Sequence, residues 1–172
     1  MTDRAAAAMA EVLQELGFHG DPEMAQSHLR FTEFLAGWVP KEEPPTLSVV
    51  TQPTRSPIVL RDMAFHSLCA HHLLPFFGTA TIAYLPADQV AGLGAIARLL
   101  RYHARRPQLQ ERLAEQLADS LESALRPQGL VVRLVARQMC MEMRGAETRA
   151  DVEVVVSRGA GLTSLRGVVF QS

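Results

Sequence analysis

Apolar residues recur at helical spacing from the start of the chain. Ala8, Met9, Val12, Leu13 and Leu16 share one face before Gly17 breaks the pattern, which predicts a helix over 5–16. Asp21-Pro22-Glu23 reads as the start of a second helix, with Asp21 as cap and Pro22 at the first position, running to Gly37. The run PKEEPP at 40–45 is a turn or short linker. Beyond it the period changes to that of strands, at 47–52 and 57–64, with a turn around Thr54-Arg55-Ser56. The β-branched and aromatic stretch 76–85 predicts another strand, ended by Pro86-Ala87-Asp88. Helices are expected over 93–102 and 108–125, split at Arg106-Pro107. Leu109, Leu113, Leu117, Leu121 and Leu125 form a stripe that reads as core packing. Residues 130–143 and 151–157 predict a long strand pair around Gly145, and 165–170 a last short strand.

That order predicts an α+β fold, an antiparallel sheet backed by helices on one face. The domain division it implies is an N-terminal helical segment, 1–45, followed by an α+β domain, 46–172. One chain has too few helices to cover both faces of the sheet, so a homo-oligomer is expected. The net charge of −1 gives no bias toward nucleic acid or anionic membrane, and neither is expected as a partner. The polar opening followed by alanines lacks the layout of a signal peptide, and no apolar stretch reaches the length of a membrane span. Two cysteines without a disulfide framework point to a reducing, cytoplasmic setting.

Those cysteines carry the chemistry. Cys69 and His72 lie three residues apart, so one turn aims both side chains the same way. Cys140 sits in 137–145, a stretch that reads as a strand. Two thiolates and one imidazole make a soft donor set suited to Zn²⁺, and three protein ligands leave the fourth tetrahedral position for water. Spacing alone leaves another reading open, two buried free cysteines and a histidine pair on a loop.

Several separated blocks extend the picture. Residues 67–78, Ser-Leu-Cys-Ala-His-His-Leu-Leu-Pro-Phe-Phe-Gly, resemble the Cys-Glu-His-His-Leu-Leu-Pro-Phe-x-Gly signature of the GTP cyclohydrolase I family. Ala83-Tyr84-Leu85-Pro86 and Gly92-Leu93 resemble its next block. Residues 106–113, Arg-Pro-Gln-Leu-Gln-Glu-Arg-Leu, and 139–145, Met-Cys-Met-Glu-Met-Arg-Gly, are similar to its later motifs. The resemblance implies a tunnelling fold in which neighbouring subunits complete a barrel, ten subunits in two rings, with active sites at subunit interfaces. It implies a zinc site of Cys69, His72 and Cys140, an acid/base histidine at His71, and a guanine anchor at Glu111 with Gln110 beside it.

The departures from the family cluster by function. Ala70 stands in place of a glutamate. Gln138 stands where the family has a second catalytic histidine, and an amide hydrogen-bonds but does not shuttle protons. Gly94-Ala95 replace the Ser-Lys of the triphosphate site, and Ala25 and His28 align with an arginine and a lysine. Arg98 and Arg144 are the phosphate-binding cations that remain. These features imply a zinc hydrolase attacking C8 of a guanine-like or pteridine-like ring whose tail carries less charge than a triphosphate. Two alternatives stand beside it: a GTP cyclohydrolase I making dihydroneopterin triphosphate, and an inactive homologue that keeps zinc.

Overall fold

A computed structural model describes residues 3–18, 20–39 and 43–169. The chain forms two compact units, Met1–Lys41 and Glu42–Ser172.

In the first unit, helix α1 spans Asp3–Glu15 and helix α2 spans Ser27–Ala36. Asp21 caps as expected, its carboxylate accepting from the Glu23 N–H at 2.9 Å with Pro22 next in line. The helix it opens is a single 3₁₀ turn, Pro22–Met24, and the α-helical path resumes only at Ser27. The expected linker at 40–45 lies partly outside the described residues.

The second unit contains a five-stranded sheet. Its strands are β2 (Ile58–Cys69), β3 (Pro75–Leu85), β5 (Pro107–Gln108), β6 (Gly129–Gln138) and β7 (Asp151–Gly159), after β1 (Val49–Thr51) and β4 (Gln89–Ala91), which pair separately. The order is β5-β2-β3-β6-β7, antiparallel throughout except for the short β2–β5 pairing. Helices α3 (Leu93–Ala104) and α4 (Gln110–Leu125) lie on one face. Leu113, Leu117, Leu121 and Leu125 of α4 are fully buried in one cluster with Ile82, Tyr84, Leu130, Val132 and Leu134, the alternate residues of β3 and β6. Burying each such side chain contributes roughly 1.5–3 kcal/mol to the cohesion of the unit. Gly78 is required where β3 meets β6, because a Cβ there would sit 1.9 Å from the Val135 carbonyl oxygen.

Two strand assignments are corrected. The strand expected over 130–143 stops at Gln138, and Met139–Glu142 coil into one helical turn, α5, closed by Met143 N–H to Met139 O at 2.9 Å. The ladder ends there because Gln138 pairs with Phe76 and the next partner along β3 is Pro75, which has no N–H to donate. The strand expected over 165–170 is instead helix α6, Leu162–Val169, with Phe170 outside the described residues. Leu162, Leu165 and Val169 recur at helical spacing and pack on Ala83 and Val131, on the sheet face opposite α3 and α4. One chain therefore covers part of the face that the sequence leaves bare. Among the described residues, no helix is long and apolar enough to cross a membrane.

Candidate metal centre

Cys69 is the last residue of β2 and opens the loop to β3. Its N–H donates to Leu74 O at 2.7 Å and its carbonyl accepts from Leu73 N–H at 2.8 Å, closing a tight loop over Ala70–Leu73. Leu73 takes a left-handed conformation, φ +53°, to make the turn. A second clasp comes from β5, where Gln108 O accepts from Ala70 N–H at 2.9 Å. Gln108 is itself buried and fully engaged. Its amide donates to His103 O and to Gln116 Oε1, and its Oε1 accepts from the Leu109 N–H and the Arg112 guanidinium. The ends of α3 and α4 thus fix the backbone that carries Cys69.

Cys140 arrives from the other side on α5. Arg137 and Glu142 form a bidentate ion pair that brackets this turn, and the Arg137 guanidinium also lies over the Phe77 ring at 5.7 Å. The pairing holds the Glu142 carboxyl below its ordinary range. Neither residue stands out in the sequence; the signal available was an opposite-charge pair flanking the second cysteine.

The ligand atoms of Cys69, His72 and Cys140 all lie within 4.8 Å of one another, and Cys69 Sγ is 3.8 Å from His72 Nδ1. Bonds of about 2.0–2.3 Å to a tetrahedral ion separate neighbouring donors by about 3.6 Å, so this set fits zinc with small adjustments. Burial, and then the neighbouring Cys69 sulfur, push the Cys140 thiol above its ordinary range. A divalent cation between the two sulfurs would reverse that balance. Cys69 is buried, Cys140 half-buried and His72 exposed, so the cluster opens toward solvent on the histidine side.

Arg144 NH1 lies 2.5 Å from His72 Nε2. A guanidinium only donates, so this contact is a hydrogen bond only in the tautomer whose proton sits on Nδ1, toward Cys69. Metal binding through Nδ1 requires the opposite tautomer, with which the contact is incompatible.

His71 is exposed, its ring edge-on to His72 with centroids 6.1 Å apart, and it is not one of the converging ligands. Glu111 is exposed in the first turn of α4. Arg98 is exposed on α3, where its NH1 would be 3.5 Å from a Cβ built on Gly94. Gln110 is buried and bonded to Gln138. In the N-terminal unit, Ala25 and His28 share a cleft with Leu13, Phe18 and Met24.

A curled antiparallel sheet backed by helices, with a cysteine–histidine–cysteine group at one end of its central hairpin, defines an α+β protein equipped to hold a soft metal ion. The chain belongs to the GTP cyclohydrolase I family, whose profile matches residues 5–164. It is 40% identical over 151 residues to GTP cyclohydrolase 1 of Streptococcus pyogenes serotype M18, an alignment covering 83% of this chain and 77% of that one. It is 53% identical over 89 residues to GTP cyclohydrolase 1 of Streptococcus thermophilus strain CNRZ 1066, covering 51% and 48%. Among solved structures, the apo form of the archaeosine synthase QueF-Like matches with a TM-score of 0.50 at 20% identity, over 63% of this chain and 98% of that one. That likeness concerns the fold alone.

Proposed function

We propose that the chain is a zinc-dependent hydrolase that opens the five-membered ring of a guanine-type purine by addition of water at C8. The observation that carries this reading is the convergence of the Cys69, His72 and Cys140 ligand atoms within 4.8 Å, on a chain of this family. Zinc held there would lower the pKa of a water toward about 7 and so supply the nucleophile near neutral pH. His71, beside the ligand histidine, is the group suited to move protons at that pH. Glu111 is the group suited to accept from the ring N–H and amino group of guanine. Gln138 carries no proton that it could transfer, so the expected product is the ring-opened formamide, formed by water addition and cleavage of one C8–N bond.

The tail is expected to be shorter than a triphosphate. A triphosphate bears about four negative charges and needs several cations or helix N-termini. Gly94, Ala95, Ala25 and His28 supply no fixed charge of that kind, which leaves Arg98 and Arg144. A second reading, GTP itself as substrate, has support from the relatives named GTP cyclohydrolase 1. It would draw on Arg101, Arg105 or Arg106. The Arg106 guanidinium already lies 4.6 Å over the Tyr102 ring and donates to Tyr102 O. Assembly as a homo-oligomer, a decamer by family resemblance, belongs to the same proposal.

Incubating zinc-loaded protein with guanine, guanosine, GMP and GTP side by side, with mass analysis of products, separates these readings. Ring opening of the short-tailed purines supports the first. Rapid conversion of GTP alone to formate and dihydroneopterin triphosphate replaces it with the second. Full zinc occupancy with no product from any of the four identifies an inactive homologue.

A further inference from the structure

Gln110 is 3% exposed, and its amide has one possible orientation. Its Nε2 donates to two backbone carbonyls, Leu134 O at 3.1 Å and Val152 O at 2.9 Å, and carbonyls only accept. Turning the amide over would set its oxygen against both. Its Oε1 therefore points outward, and there it accepts from Gln138 Nε2 at 2.7 Å. The second amide is fixed by the first, because a reversed Gln138 would press oxygen against oxygen. One face of the ladder completes the placement. Gln138 pairs with Phe76 and Phe76 with Ser67, so all three side chains share a sheet face with Cys69, two residues beyond Ser67. Gln138 is half-buried and immediately precedes the α5 turn that carries Cys140.

We propose that Gln110 is a positioning residue that locks the Gln138 amide, so that the Gln138 carbonyl oxygen stands as a fixed, non-titrating acceptor beside the Cys69–His72–Cys140 cluster, orienting an N–H or O–H of the substrate. This assignment rests on the hydrolase reading above, and gives Gln110 a task other than contact with the substrate. It also separates two jobs that one histidine could combine, orienting a donor and moving its proton, and leaves only the first at this position.

A double-mutant cycle tests it in the zinc-loaded protein, using whichever of the four purines is turned over. Gln110→Met and Gln138→Met each lower kcat by about tenfold with KM little changed, and the double variant is no slower than either single one. Zinc content and melting temperature are followed in all three as a check on folding. Independent, multiplying losses in kcat, or a Gln110→Met protein that loses stability while keeping kcat, would overturn the assignment. A crystal structure of Gln110→Met gives a readout free of activity. The Gln138 side chain should leave its present orientation, and an unchanged Gln138 would overturn the lock. If the unaltered chain opens none of the purines, the hydrolase reading fails, and the crystal structure alone then decides whether Gln110 sets Gln138.

Discussion

Cys69 and Leu74 clasp each other across the hairpin loop, N–H to carbonyl at 2.7 Å, and the loop they close presents His71 and His72. The clasp depends on Leu73 at φ +53°, a conformation costing an ordinary residue about 1–2 kcal/mol. Leu73 is exposed and makes little use of its side chain. Leu73→Gly is therefore expected to leave the urea midpoint nearly unchanged, whereas Leu73→Val, β-branched and worse in this conformation, should lower stability by roughly 1 kcal/mol or more. Zinc affinity should fall with it, since the loop sets the reach of His72. Equal midpoints and equal zinc affinities for the two variants would contradict this account.

Cys140→Ala should abolish stoichiometric zinc in metal analysis of the purified protein, because only two of the three converging donors remain. In the unaltered chain, affinity should fall as pH drops. The sign follows from the Cys140 thiol, whose pKa is raised by burial and then by Cys69, so its proton is held more tightly and must leave before the metal binds. The expected dependence approaches about tenfold per pH unit for each thiol proton displaced. Competition with a chelator from pH 8 to pH 6 reads it, and near-full occupancy in Cys140→Ala would remove Cys140 from the site.

What was legible follows from how local each signal is. Cys69 and His72 lie within one turn, so spacing placed them together without knowledge of the fold. The stripe on α4 was legible because it repeats at one period over four turns. Cys140 read as strand because Met139, Met141 and Met143 alternate around it, and nothing local says that Pro75, more than sixty residues earlier, ends the ladder. The strand expected over 165–170 failed for a related reason. Its valines favour a strand locally, but Leu162, Leu165 and Val169 find an apolar patch of Ala83 and Val131 that only the assembled sheet creates. The Gln110–Gln138 bond spans 28 positions and joins two uncharged residues, so no pattern of charge or hydropathy marks it.

His103 gives the unit a dependence on acid that the metal site does not explain. It is 8% exposed, with Nε2 2.9 Å from Ser120 Oγ and a buried Nδ1 without a partner. Burial, and next the positive charge of Arg106, lower its pKa from 6.5 to about 4, with Asp119 opposing. The folded state thus binds this proton less readily than the unfolded chain. The stability it contributes is complete above pH 6.5 and is lost as pH falls toward 4. Allowing for solvent near the ring, the loss is on the order of 1 kcal/mol across that window. Urea unfolding of metal-free protein should show this slope, and His103→Gln should lack it. The same slope in both would assign the acid sensitivity to other groups.

Arg144 is expected to oppose zinc and favour the ligand, and one substitution separates the two effects. Its contact with His72 Nε2 is a hydrogen bond only in the tautomer that places a proton on Nδ1, the nitrogen facing Cys69. Loading metal through Nδ1 requires that contact to break and leaves a guanidinium near a divalent cation. Both residues are exposed, so the contact is worth at most about 1 kcal/mol, and Arg144→Gln should tighten zinc binding by about two- to fivefold. A purine with one phosphate should bind more weakly to the same variant, because a charge-assisted hydrogen bond to its tail is lost. Guanosine, with no phosphate, should bind as before. Chelator competition and calorimetric titration with guanosine and GMP read the two effects separately. Weaker zinc binding in Arg144→Gln would show that Arg144 supports His72 as a ligand. Equal losses for guanosine and GMP would show that it holds the ring and not the tail.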